Sequence, residues 1–299
     1  MRVLVTGADG FVGRHVSALL TARGHDVVPM TGPTSQGPHS IDLTHQTAVY
    51  DVISHTHPDV VVHLAAQSSV ARSWLEPTQT LDTNVLGSLN IWQAAQINRV
   101  PRVVYASTAE IYRPDESVGL LRESAPFGPI NPYGISKLTT ECLLTQLQPR
   151  ADTQLAIIRP FNIIGQGQQP GFVITDVARQ IASIRRGTAQ SVRVGNLSPI
   201  RDFLDIRDAA AAYVKIVENS GLTGVYNLCS GVARSIQDVV MRLLQLAHLD
   251  ISLIEIDPEK VRPVDTPRLV GDPSRLIEMT KWAPMISWDQ TLSNIITSS

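Results

Sequence analysis

Three glycines at the start of the chain, Gly7-x-x-Gly10-x-x-Gly13, constrain its fold more than any other feature. They follow a short apolar run, Val3-Leu4-Val5, and precede Val16, Leu19 and Leu20 at helical spacing. Strand, glycine turn and helix in that order let the backbone approach a pyrophosphate and hold it with N–H groups at the helix start. A glycine pattern alone can be a plain tight turn, but one between a strand and a helix points to a dinucleotide. Gly7, Gly10, Phe11, Val12 and Gly13 are therefore candidate cofactor residues.

The pattern repeats in the way a parallel sheet requires. Asp26–Met30, Asp59–Ala66 and Pro101–Ser107 read as strands, the middle one nearly all apolar, as expected when both faces are covered. Amphipathic stretches separate them, which predicts an α/β, doubly wound sheet. An acid at the end of the second strand would take the ribose 2′-hydroxyl of NAD. Here Met30 is followed by Thr31-Gly32-Pro33-Thr34-Ser35, with no acid before Asp42 and no arginine before Arg72. The missing acid points to NADPH, held by hydroxyls and N–H groups, with NADH the open alternative. The Pro/Gly/Ser-rich stretch Gly32–Ser40 reads as a mobile loop beside that ribose.

Asn131-Pro132-Tyr133-Gly134-Ile135-Ser136-Lys137 carries the chemistry. On a helix, Tyr133 and Lys137 share one face, and Pro132 suits the first turn. A lysine ammonium beside a phenol lowers its pKa, and such a tyrosine can exchange protons with a carbonyl or hydroxyl. YxxxK alone is more often a surface pair. Thr108 and Glu110 follow the strand that ends at Ser107, at the strand end where ligands collect in such sheets.

The 299 residues suit one large domain or two unequal lobes. A net charge of -2 gives no global attraction to nucleic acid or anionic membrane, and no apolar run reaches the roughly 20 residues of a membrane span. The chain opens on a strand-like run, from which no signal peptide is expected. Cys142 and Cys229 lack metal or catalytic spacing, and both are expected in the core of a cytoplasmic protein. His63 is expected to be packed inside its strand. His55 and His57 have no clustered acids or cysteines, so no metal site is expected.

Together these pieces resemble the extended short-chain dehydrogenase/reductase family that modifies nucleotide sugars. The likeness rests on the TGADGFVG loop, Asp42-Leu43, HLAAQ at His63–Gln67, NVLGS from Asn84, STAEIY from Ser107, YGISK and RPFN at Arg159–Asn162. VGN at 194–196, Arg201-Asp202-Phe203 and Arg262-Pro263 look most like the GDP-sugar branch, and GDP-4-keto-6-deoxy-D-mannose reductases in particular. The resemblance implies a Rossmann-like cofactor domain over 1–165, with a return segment near 201–217, and a smaller C-terminal α/β substrate lobe over 166–299. It implies a catalytic set of Thr108, Tyr133 and Lys137, with Glu110 beside it. Cofactor contacts are implied at Asp42, Leu43, Leu64, Ala65, Ala66, Asn84, Ser107, Tyr133, Lys137 and Pro160. A GDP-sugar substrate would be met by Gln67, Thr108, Asn162, Phe172, Val173, Asn196, Arg201 and Arg262, the arginines serving its diphosphate. A homodimer built on the helices from Asn84 and Tyr133 is also implied. The activity implied is reduction of a C4 ketone. Glu110 keeps a GDP-mannose 4,6-dehydratase open, a 4-epimerase would use the same residues, and a non-catalytic dinucleotide sensor is disfavoured because Tyr133 and Lys137 are both present.

Overall fold

A computed structural model describes residues 1–113, 119–261 and 266–299. β1 (Arg2–Thr6) enters the glycine turn, and α1 (Phe11–Ala22) leaves it. Gly7 sits at φ +65°, and a Cβ on Gly13 would lie 1.9 Å from the Gly7 carbonyl oxygen, so only glycine permits this crossing of turn and helix. β2 (Asp26–Met30), α2 (Gln46–Thr56) and β3 (Val60–His63) follow. Next come α3 (Val70–Leu75), α4 (Pro77–Leu81), one wide turn of π-helical geometry (Asp82–Leu86) and α5 (Gly87–Ile97). β4 (Arg102–Ala106), α6 (Pro132–Leu147) and β5 (Gln154–Pro160) complete this half.

The second half contains β6 (Asn162–Ile164), α7 (Val173–Arg185), β7 (Val192–Val194), β8 (Ile200–Asp205) and α8 (Ile206–Glu218). β9 (Gly224–Leu228), β10 (Ala233–Ser235), α9 (Ile236–Leu246), β11 (Ile254–Ile256), β12 (Arg268–Leu269), α10 (Ser274–Thr280) and α11 (Trp288–Thr297) finish it.

The main sheet has the order β2-β1-β3-β4-β5-β9, and every pairing is parallel. One face packs on α1 and α8 through Val16, Leu20, Tyr213 and Val217. The other packs on α2, α5 and α6 through Val49, Ile91, Trp92 and Leu144. Covered on both faces, the central strands β1, β3, β4 and β5 are apolar along most of their length. β1 lies between β2 and β3, so the order reverses there and a crevice opens beyond the carboxyl ends. β8 pairs with β6, β10 and β12 apart from this sheet, and a separate core joins α7, α9 and α11.

Each half holds a buried ionic group. Arg159 pairs with Glu141 and also donates to the Tyr112 hydroxyl at 2.8 Å. The Asp202 carboxylate, fully buried, accepts from Ser230 N, Ser230 Oγ and Gly231 N at 2.7–2.9 Å. Two expectations change. Cys229 is buried, but Cys142 is exposed, because it follows the inward Glu141 onto the outer face of α6. The stretch 32–40 is tied on itself: Thr31 N donates to His39 O, Ile41 N to Thr31 O and Ser40 Oγ to Gly32 O at 2.7–3.1 Å.

Candidate active site

Asn131 caps α6, accepting from Gly134 N at 2.7 Å, and Pro132 fills the first turn where its missing N–H costs nothing. A Cβ on Gly134 would lie 2.5 Å from the Glu110 carbonyl oxygen. The absence of a side chain there brings α6 against the turn after β4. Tyr133 and Thr108 meet across this contact through a hydrogen bond. Lys137, one helical turn on, donates from Nζ to the Ala106 carbonyl at 2.7 Å, and its Nζ stands 4.9 Å from the Tyr105 ring centre. Tyr133, Lys137 and Thr108 are all buried.

The electrostatics differ from the expected pairing. Burial pushes the Tyr133 phenol up to about 12, against the lowering effect of the Thr108 hydrogen bond and with a further upward push from Glu110. Lys137 is not the decisive neighbour, because its ammonium is drawn to the β4 carbonyl. Burial pushes Lys137 itself down to about 7. Glu110 is fixed from the side: Asn131 Nδ2 donates to its Oε2 at 2.9 Å. Asn131 thus both starts the helix and holds the carboxylate. The Asn-Pro step announces the cap, but Glu110 is 21 residues away and the second bond cannot be read from the sequence.

Of the residues expected for the cofactor, the glycine turn, Leu64–Ala66 and Ser107 follow the carboxyl ends of β1, β3 and β4. Thr6 Oγ1 accepts from Leu64 N and Ala65 N at 3.2 and 3.1 Å, so its own hydrogen goes to His63 Nδ1 at 2.7 Å. His63 therefore carries its hydrogen on Nε2 and donates to Ser88 Oγ at 2.9 Å, and Ser88 passes the chain to the Asn84 carbonyl at 2.5 Å. Burial, with the Lys137 charge adding, holds this imidazole down at about 3. His63 is packed in the core, as its strand position suggests.

Asn84 spends its side chain on the protein. Oδ1 accepts from Gln67 N, and Nδ2 donates to Gln67 O and Ser136 Oγ, all within 2.8–3.0 Å. Gln67 likewise bonds Ser69 and Thr80. Asn84 thus latches the loop after β3 to α6, and Gln67 ties the same loop to α4. Asp42 makes a local turn, accepting from Thr44 N and Oγ1, and these bonds hold its carboxyl below the usual carboxylate range. Leu43 is buried against Gly87, where a Cβ would lie 2.8 Å from the Leu43 Cβ. Ser107 Oγ, buried at the end of β4, has no hydrogen-bond partner among the described residues. Pro160 ends β5.

These features fit a dinucleotide. The glycine turn lets backbone come close, three strand ends converge beside it, and an unsatisfied buried hydroxyl lies next to Thr108.

The residues expected for the substrate are more scattered. Asn162 Nδ2 donates to Asp202 O at 3.0 Å, and Arg201 is buried on β8. Phe172 is exposed at the start of α7, with Val173 beside it half-buried. Asn196 accepts from Ser198 N and Oγ in a local turn. Arg262 lies outside the described residues.

The model of the NAD dependent epimerase/dehydratase family matches residues 3–229. The chain is 34% identical to GDP-6-deoxy-D-mannose reductase of Pseudomonas aeruginosa over 99% of this chain and 96% of that protein. It is 29% identical to GDP-6-deoxy-D-talose 4-dehydrogenase of Aggregatibacter actinomycetemcomitans over 93% and 91% of the two. Among solved structures, RMD from P. aeruginosa complexed with NADPH superposes with a TM-score of 0.89, at 33% identity and covering 99% and 98% of the chains.

Proposed function

The chain belongs to the NAD dependent epimerase/dehydratase family, and on that premise we propose that it reduces the C4 ketone of GDP-4-keto-6-deoxy-D-mannose with NADPH, NADH being an alternative donor. The end-to-end likeness to a GDP-6-deoxy-D-mannose reductase carries this reading. A bound dihydronicotinamide would supply the hydride to C4. The glycine-turn N–H groups at the start of α1 would hold its pyrophosphate, with the ends of β3, β4 and β5 against its remaining length.

Tyr133 Oη transfers its proton to the C4 oxygen as the ketone becomes an alkoxide, and Thr108 Oγ1 hydrogen-bonds the same oxygen. A phenol held at about 12 is protonated at neutral pH, which is the state reduction requires. A dehydratase or epimerase must start by removing a proton from a C4 hydroxyl, which calls for phenolate. The end-to-end likeness to a GDP-6-deoxy-D-mannose reductase is what favours the reductase over both rivals. Glu110, anchored by Asn131, orients the sugar in this reading. Phe172, Val173, Asn196, Arg201 and Arg262 serve the GDP moiety from a lobe comprising most of 166–299, and Asn162, just before it, reaches the substrate's phosphate or sugar.

We also propose a cytoplasmic homodimer. Leu86, Ile97, Ile135, Leu143 and Leu147, on and beside α5 and α6, leave apolar side chains exposed. No helix among the described residues is long and apolar enough to cross a membrane. A monomer by sedimentation at micromolar concentration would contradict the dimer.

The deciding assay supplies GDP-4-keto-6-deoxy-D-mannose and NADPH, with GDP-mannose alone in parallel. NADPH loss with the keto sugar is expected. Conversion of GDP-mannose to the keto sugar without NADPH loss would instead assign a dehydratase with Glu110 as its acid/base.

A further inference from the structure

An acid at the end of the second strand ordinarily meets the ribose 2′-hydroxyl of NAD, and an arginine nearby accommodates the 2′-phosphate of NADP. The chain has neither in 31–35. The fold brings a carboxylate there from another place. Asp9, in the glycine turn, accepts a hydrogen bond through Oδ2 from Ser35 Oγ in the loop after β2.

Turn and loop are held in that relation by backbone bonds. Ala8 N donates to Met30 O at 3.2 Å, Ser35 N to Gly32 O at 3.0 Å, and the loop closes through Thr31, His39 and Ile41. Asp9 is exposed, so a ligand can reach it. The arginines of β1 and of the α1 segment are engaged elsewhere: Arg2 on Asp26, Arg14 on the Gly167 carbonyl and Arg23 on Glu218.

We infer that Asp9 determines cofactor selectivity, standing in for the acid missing after β2: it accepts the 2′-hydroxyl of NAD(H) and repels the 2′-phosphate of NADP(H). This rests on the proposed dinucleotide-binding reading and refines it. NADPH is held by hydroxyls such as that of the exposed Thr34 against the Asp9 charge, and NADH is accepted because of that charge. The chain is thereby a dual user whose balance is set by one carboxylate from the glycine turn.

Calorimetric titration of NADPH and NADH into wild type, Asp9→Asn and Asp9→Ser tests this without any sugar present. Asp9→Asn keeps an acceptor for Ser35 and removes the charge. Both variants are expected to shift the ratio of the two dissociation constants toward NADPH by about tenfold, through loss of like-charge repulsion. A ratio unchanged in both variants overturns the inference, and so does an equal weakening of both dinucleotides, which would make Asp9 a turn residue only. Wild-type protein that binds neither dinucleotide would overturn the cofactor reading itself, a result separable from an unchanged ratio.

Discussion

The cofactor side and the substrate side of the crevice are built differently. On the cofactor side most polar groups apart from Ser107 have a fixed partner: Thr6, His63 and Ser88 form one directional chain, Asn84 latches Gln67 to Ser136, and Lys137 is tied to Ala106. Thr6 and His63 end the buried strands β1 and β3, and Ser88, Asn84 and Lys137 reach this region from α5, the turn before it and α6. The proposed substrate side includes the 165–172 loop, in which Gly167 and Gly171 hold φ +83° and +101°, and Phe172, 44% exposed. One side is cross-tied by hydrogen bonds, and the other leaves an apolar ring exposed. Chemistry done at an atom of the ligand needs the first kind of support, whereas a large nucleotide is grasped by surfaces that close on it.

The sharpest way to break this contrast is Tyr133→Phe. It removes the proton donor and leaves ring packing intact. Turnover is expected to fall by about 10²–10⁴-fold, the range of general acid catalysis, with dinucleotide affinity unchanged by calorimetry. Full activity would sink the role given to Tyr133.

A second test reads the rigidity of the cofactor side through pH. His63 is held at about 3 in the folded chain, against 6.5 for an ordinary imidazole. The unfolded state therefore binds one more proton between those values, and stability falls as pH drops from 6.5 toward 3, by about 1.4 kcal/mol per pH unit where the difference is complete. Above 6.5 the contribution is fully present. In His63→Gln this one-proton slope is expected to vanish, and denaturant melts at pH 7, 6 and 5 compare the two proteins. Equal slopes in both would contradict the assigned protonation.

How far each side could be read from the sequence follows the same division. The glycine turn, the apolar strands and the Tyr133/Lys137 spacing are local patterns, and the structure forms them near the expected positions. His63 was also legible, because a histidine inside an all-apolar strand has few places to point. What escaped depends on contacts between distant residues. Asn131 to Glu110 spans 21 positions and Ser35 to Asp9 spans 26. The pKa of Tyr133 escaped for a related reason: helical spacing puts Lys137 on its face but does not say that a β4 carbonyl will draw the ammonium away. The outward turn of Cys142 was within reach, since inward residues of α6 at 137, 140, 141 and 144 leave 142 outside.

The smallest effect is expected on the substrate side, at Phe172. An exposed phenylalanine just before a helix contributes little to the folded chain, so Phe172→Ala should leave the melting temperature nearly unchanged. If the ring closes over the nucleotide, the variant loses apolar contact made equally in the ground and transition states. Loss of that kind raises KM and leaves kcat alone. Roughly a three- to tenfold rise in KM for the GDP-sugar is expected, with KM for NADPH unmoved. A fall in kcat with KM unchanged would place Phe172 among the groups that position the reacting carbon, and the division between a prebuilt side and a closing side would then fail where the two meet.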